Sequence, residues 1–68
     1  MESTVIRISG MTCQGCVKSV TRVLAAVPGV ADLDVSLDRG EARFKYDPSK
    51  AGQVEFRRAV EDAGFEVK

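Results

Sequence analysis

Residues 31–46 read ADLDVSLDRGEARFKY, two alternating runs joined by a short polar turn. In the first run Leu33, Val35 and Leu37 point one way and Asp32, Asp34 and Ser36 the other; in the second, Ala42, Phe44 and Tyr46 share a face. Alternation with a period of two marks a strand with one side in a core and one in water. Asp38, Arg39 and Gly40 supply the turn, so the pair is expected to form an antiparallel hairpin, closed by Asp47 and Pro48.

Working outward from the hairpin, the pattern changes on both sides. Upstream, Val17, Val20, Val23, Leu24 and Val27 recur at helical spacing with Lys18, Ser19 and Arg22 on other faces, until Pro28 and Gly29 end the run. Before that, TVIRIS at Thr4–Ser9 is rich in β-branched residues and reads as a strand with Ile6 and Ile8 on one face. Downstream, Val54, Phe56, Ala59, Val60 and Ala63 define a second helix from about Lys50 to Ala63, with Asp47 or Ser49 as its cap and Gly64 at its end. Phe65–Val67 supplies a short last strand. The order strand, helix, strand, strand, helix, strand predicts an α+β, ferredoxin-like βαββαβ sandwich: a four-stranded antiparallel sheet with two helices on one face. Sixty-eight residues are enough for one such domain, spanning 1–68.

Composition narrows the function classes. Ten basic and ten acidic residues cancel, so no overall field favours nucleic acid or an anionic membrane. No apolar run approaches the roughly 20 residues that cross a bilayer, and no secretory signal pattern precedes the first strand. The expected location is therefore the cytoplasm, without direct membrane insertion. The charge is unevenly placed: Gly10 to Ala31 contains Lys18 and Arg22 but no carboxylate, whereas Asp32 to Glu66 holds nine of the ten acids. Lys18 and Arg22, spaced i,i+4, are read as a docking edge for an acidic partner.

The only two cysteines lie in GMTCQGC, Gly10 to Cys16, with Cys13 just before the first helix and Cys16 in its first turn. A helix N-terminus lowers a thiol's pKa, which suits both nucleophile and metal ligand. Gly15 between them is expected to relax the backbone so that both sulfurs turn to one ion. Structural zinc needs four Cys or His ligands, and this chain has two Cys and no His. Iron–sulfur ligation meets the same shortage. A soft ion that accepts two thiolates, Cu(I) first and Ag(I) or Hg(II) in vitro, fits the donor set. A dithiol/disulfide redox centre is the alternative from a different class, since C-x-x-C spacing alone is shared with it.

GMTCQGC, followed by VKSVTRVLAAVPGV and then YDP and EDAGFEV, resembles the heavy-metal-associated domain family, in particular its bacterial copper chaperones. The family also includes the metal-binding domains of copper-transporting P-type ATPases. Gly10, Met11, Thr12, Cys13 and Cys16 match its G-M-T/H-C-x-x-C loop position by position. The resemblance implies a copper chaperone that holds Cu(I) through Cys13 and Cys16 and hands it by ligand exchange to the metal-binding domain of a copper-transporting P-type ATPase. That role is not enzymatic. It also implies that Met11 packs inward and that Phe65 stands near the metal, where copper chaperones of this group often carry Tyr and eukaryotic ones Lys. A phenyl ring excludes water but supplies neither a hydrogen bond nor a charge. Because the chain begins at Met1 and its strands reach nearly to both ends, a free chaperone is expected rather than an excised ATPase domain. The metal-free form is expected to be a monomer, with a Cu(I)-bridged dimer under excess copper. A related periplasmic mercury-binding protein shares the loop but ordinarily needs an export signal.

Overall fold

Six elements follow one another in the expected order: β1 (Glu2–Ser9), α1 (Gln14–Ala25), β2 (Val30–Ser36), β3 (Glu41–Tyr46), α2 (Gln53–Asp62) and β4 (Glu66–Val67). They are taken from a computed structural model that describes residues 1–68. The strands form one antiparallel sheet in the order β2-β3-β1-β4. Alternation decides which face is dry. Ile6 and Ile8 of β1 and Ala42 and Phe44 of β3 are buried against Val20 and Leu24 of α1 and Phe56 and Val60 of α2 in one cluster. Val5, Arg7, Arg43 and Lys45 on the intervening positions remain exposed. The sandwich is therefore two-layered, with both helices on one side. At its centre the Phe56 ring meets Phe44 edge-on at 4.8 Å and Tyr46 at 5.0 Å between centroids.

The two ends of the sandwich are fixed differently. At one end the Ile8 amide donates to the Gly40 carbonyl at 2.8 Å, joining β1 to the hairpin turn beside the cysteine loop. At the other, the Asp47 amide donates to the Gly29 carbonyl at 3.0 Å. Gly29 has φ +89°, which favours glycine, and a Cβ there would lie 3.1 Å from Lys50 Cβ, a tight contact.

Five sequence expectations are corrected. Helix α2 begins at Gln53, not Lys50, and Gly52 is its N-cap without a side-chain bond. Asp47 and Ser49 do not cap it because they bond to each other: the Ser49 hydroxyl and amide donate to Asp47 Oδ1 at 2.7 and 3.0 Å. Val54 is 67% exposed, since it lies two positions from buried Phe56 and thus on the opposite side of the helix. Strand β2 starts at Val30 and carries an irregularity between Ala31 and Asp34, where Asp32 adopts φ +52°. That bulge shifts the alternation by one, so Val30 joins Leu33 and Val35 against the core. Leu37 falls in the turn and takes no part in the core cluster.

The Asp47 turn gives a pH prediction. The Ser49 hydroxyl first, and its amide second, hold the Asp47 carboxyl below its ordinary value. A depressed folded-state pKa contributes stability that is present above the unfolded value, about 3.9, and is lost as pH falls through the folded value. Asp47→Ala is therefore expected to be less stable than the parent at pH 6, with the difference shrinking below about pH 4. Urea unfolding of both proteins at pH 6 and pH 2.5 checks this; a difference that is constant with pH would contradict it.

Candidate metal centre

The loop between β1 and α1 is shaped by its backbone before its thiols matter. Gly10 leaves β1 with φ +93°, and a Cβ on it would meet the Phe65 ring at 3.5 Å. Met11, only 8% exposed, anchors the loop in the core. Thr12 is exposed, and Cys13 follows in an extended conformation as the N-cap of α1. The Cys13 carbonyl accepts from the amides of Cys16 at 3.0 Å and Val17 at 3.2 Å, which closes the first helical turn. At about 3.6 residues per turn, positions three apart fall on one side of a helix, so the side chains of Cys13 and Cys16 meet.

Their sulfurs are 3.3 Å apart. That is well beyond a disulfide bond of about 2.05 Å, and both cysteines are free. Cys13 is exposed and Cys16 half-buried against the core. The Cys16 thiol is pushed below its ordinary value, foremost by the Thr12 backbone amide and then by the Cys13 thiol. No carboxylate lies in the first turn of α1, and no side chain caps it. Its open N–H groups and dipole add to the charge-favouring surroundings of Cys16. No group of three or more His, Cys, Asp or Glu forms anywhere in the chain. The donor set is two soft sulfurs, one exposed, with room for a further ligand from outside.

The structure brings together most of the residues singled out in the sequence. Gly10, Met11, Thr12, Cys13, Gly15 and Cys16 share the loop and first turn, and Phe65 closes one side of it, half-buried against the core. Lys18 and Arg22 are both exposed on α1. Gly15 is corrected in role: it is an ordinary helical residue with no left-handed φ, and a Cβ there would touch Cys13 Sγ at 3.6 Å, a normal contact. Gly15→Ala is accordingly expected to stabilise the domain by about 0.5–1 kcal/mol through helix propensity, with metal affinity changed less than about threefold. Thermal unfolding and a competition titration read the two effects; a destabilised variant would show that the turn needs glycine. The sequence reading missed the hairpin turn, Leu37–Gly40, as a neighbour of the site. Its place follows from the antiparallel pairing of β1 and β3, which puts Gly40 beside Ile8.

Comparisons with known proteins agree with this arrangement. The family model described as "Heavy-metal-associated domain" matches residues 5–66. The chain is 44% identical over 65 residues to human copper-transporting ATPase 2, covering 96% of this chain and 4% of that protein. It is 35% identical over 68 residues to the copper chaperone CopZ of Staphylococcus haemolyticus, covering the whole of both. Among solved structures, a CopZ metallochaperone superposes with a TM-score of 0.93 at 31% identity, over 98% of this chain and all of the other. The chain thus spans only a small fraction of the ATPases it matches and the full length of the bacterial chaperone.

Proposed function

Because the chain belongs to the heavy-metal-associated domain family, we propose that it binds one Cu(I) through Cys13 and Cys16 and passes it to a partner by ligand exchange. The observation that carries this reading is the pair of free thiols 3.3 Å apart at an uncapped helix N-terminus. Two thiolates hold a soft monovalent ion yet leave it open to a third sulfur. A thiolate of the partner attacks the bound ion, a three-sulfur intermediate forms, and Cys13 or Cys16 leaves. Cys13, the exposed one, is the first to be displaced. No covalent bond of a substrate is broken, so the protein is a carrier and not an enzyme. Ag(I) and Hg(II) occupy the same site in vitro.

The partner is the metal-binding domain of a copper-transporting P-type ATPase, met in the cytosol. No helix of the chain is long and apolar enough to cross a membrane. A free chaperone is the reading favoured by full-length coverage of CopZ. An excised ATPase domain is the reading favoured by the 44% identity to a segment of human copper-transporting ATPase 2. The reading frame around the coding sequence separates them. At micromolar concentration the metal-free chain is a monomer, and excess Cu(I) bridges two thiol loops into a dimer.

Mixing the Cu(I)-loaded chain with a metal-free ATPase domain, then separating the two by ion exchange, tests the proposal; copper that stays wholly with the donor would contradict it. Lys18 and Arg22 steer that encounter. Lys18→Glu with Arg22→Glu is expected to slow transfer about tenfold at low salt while leaving Cu(I) affinity nearly unchanged. At 1 M salt, where the Debye length is about 3 Å, the rates should converge. Equal rates at low salt would remove the docking role. The redox alternative predicts catalysed reduction of a model disulfide, and a rate no faster than free thiols at equal concentration would eliminate it.

A further inference from the structure

The two edges of the sheet are built differently. Strand β2, at one edge, is blunted by the bulge at Asp32 and by exposed Asp32 and Asp34. Such features discourage pairing with another chain. At the other edge β4 is two residues long and pairs only with Ile8 and Ser9 of β1, with Lys68 donating to the Arg7 carbonyl at 2.9 Å. Residues 2–6 of β1 pair with no strand on that side. The bond from Ile8 to Gly40 shows that even-numbered β1 residues point their backbone groups at β3, and the bond to Arg7 shows that odd-numbered ones point at the β4 side. The N–H and C=O groups of Ser3 and Val5 therefore face an open edge. Neither proline nor lysine guards Met1–Ile6.

The surroundings of this edge fit one occupant. Two of the three exposed large hydrophobics are here: Met1 at 72% and Val5 at 50%. On the helix side, Gln53 Nε2 donates to Thr4 Oγ1 at 3.4 Å, which places the first turn of α2 over the edge, with exposed Arg57 one turn further on. We infer that this edge pairs with the same edge of a second copy of the chain, antiparallel about a twofold axis at Ser3. In that register the two Ser3 residues exchange N–H···O=C bonds, and each Val5 faces Met1 of the second copy. The two exposed apolar side chains then cover each other on the open sheet face. On the helix face Glu2 comes opposite Thr4 of the second copy, beside its Gln53 and Arg57, so opposite charges meet twice. Lys68, at the level of Arg7, lies two residues beyond the paired stretch. The thiol loops stand at opposite ends of the joined sheet, so this contact is separate from any copper-bridged one. With one short strand per copy, the association is weak and shows at concentrations near a millimolar.

Sedimentation equilibrium of the reduced, metal-free chain from about 10 μM to about 3 mM tests the inference, alongside Ser3→Pro and Val5→Lys. Both substitutions fall on groups without a partner in the monomer's own sheet, and proline is tolerated on such an edge. The parent's average mass is expected to rise from 7.3 kDa toward twice that value. Each variant should raise the dissociation constant at least about tenfold while its circular dichroism stays that of the parent. Hydrogen exchange should show the Ser3 and Val5 amides slowing with concentration, and Val5→Lys supplies a folded control if Ser3→Pro unfolds. A mass of 7.3 kDa throughout, or association that both variants leave unchanged, would overturn the proposed edge.

Discussion

Phe56→Ala is expected to lower the stability of this domain by about 3–5 kcal/mol, enough to leave a large fraction unfolded at 37 °C. The side chain is fully buried and sits where both helices and the central strands converge, against Phe44 and Tyr46 at 4.8 and 5.0 Å. Alanine there removes aromatic contacts and opens a cavity that the surrounding β-branched residues cannot close. A chain of 68 residues has little reserve, because so short a chain buries a smaller share of its surface than a larger domain. Val54→Ala, on the same helix but 67% exposed, is expected to change stability by less than about 0.5 kcal/mol. Urea unfolding of both variants makes the comparison; equal effects would mean that the core is placed wrongly.

The second large effect concerns the thiols. Cys13→Ser or Cys16→Ser replaces one of two soft donors by a hard hydroxyl that remains protonated, and a single thiolate does not satisfy Cu(I). Each variant is expected to lose affinity on the order of a thousandfold, equivalent to about 4 kcal/mol. The fold should survive both changes, since Cys13 is exposed and Cys16 only half-buried. Competition with a chromophoric Cu(I) chelator under anaerobic conditions measures the loss. Retained affinity in either variant would point to a donor outside the loop.

Much of this was legible in the sequence, for physical reasons that also explain the misses. The alternation of β3 specified its buried face because Ala42 and Phe44 pair with β1 in unbroken register. Strand β2 was legible only in part: Leu33 and Val35 face the core as their alternation says, but Asp32 at φ +52° brings Val30, out of phase with them, to the same face. An aspartate gives little warning of that, being both a turn former and a normal outward residue. Val54 is as apolar as its core neighbours, but two positions from Phe56 it lies about 200° around the helix, which hydrophobicity alone does not show. The start of α2 was misplaced because Asp47 and Ser49, both good caps, satisfy each other in a preceding turn. At the site, the spacing of Cys13 and Cys16 sufficed to bring the sulfurs together, since one helical turn does so on its own. The role of Gly15 was not legible, because a glycine in a first helical turn is indistinguishable in sequence from one in a loop.

The most direct test of the central claim is copper K-edge X-ray absorption of the reduced chain loaded with one equivalent of Cu(I) at low micromolar concentration. Two sulfur scatterers per copper, with no nitrogen or oxygen in the first shell, is the predicted result. A first shell containing nitrogen or oxygen, or a single sulfur, would contradict binding by Cys13 and Cys16 together.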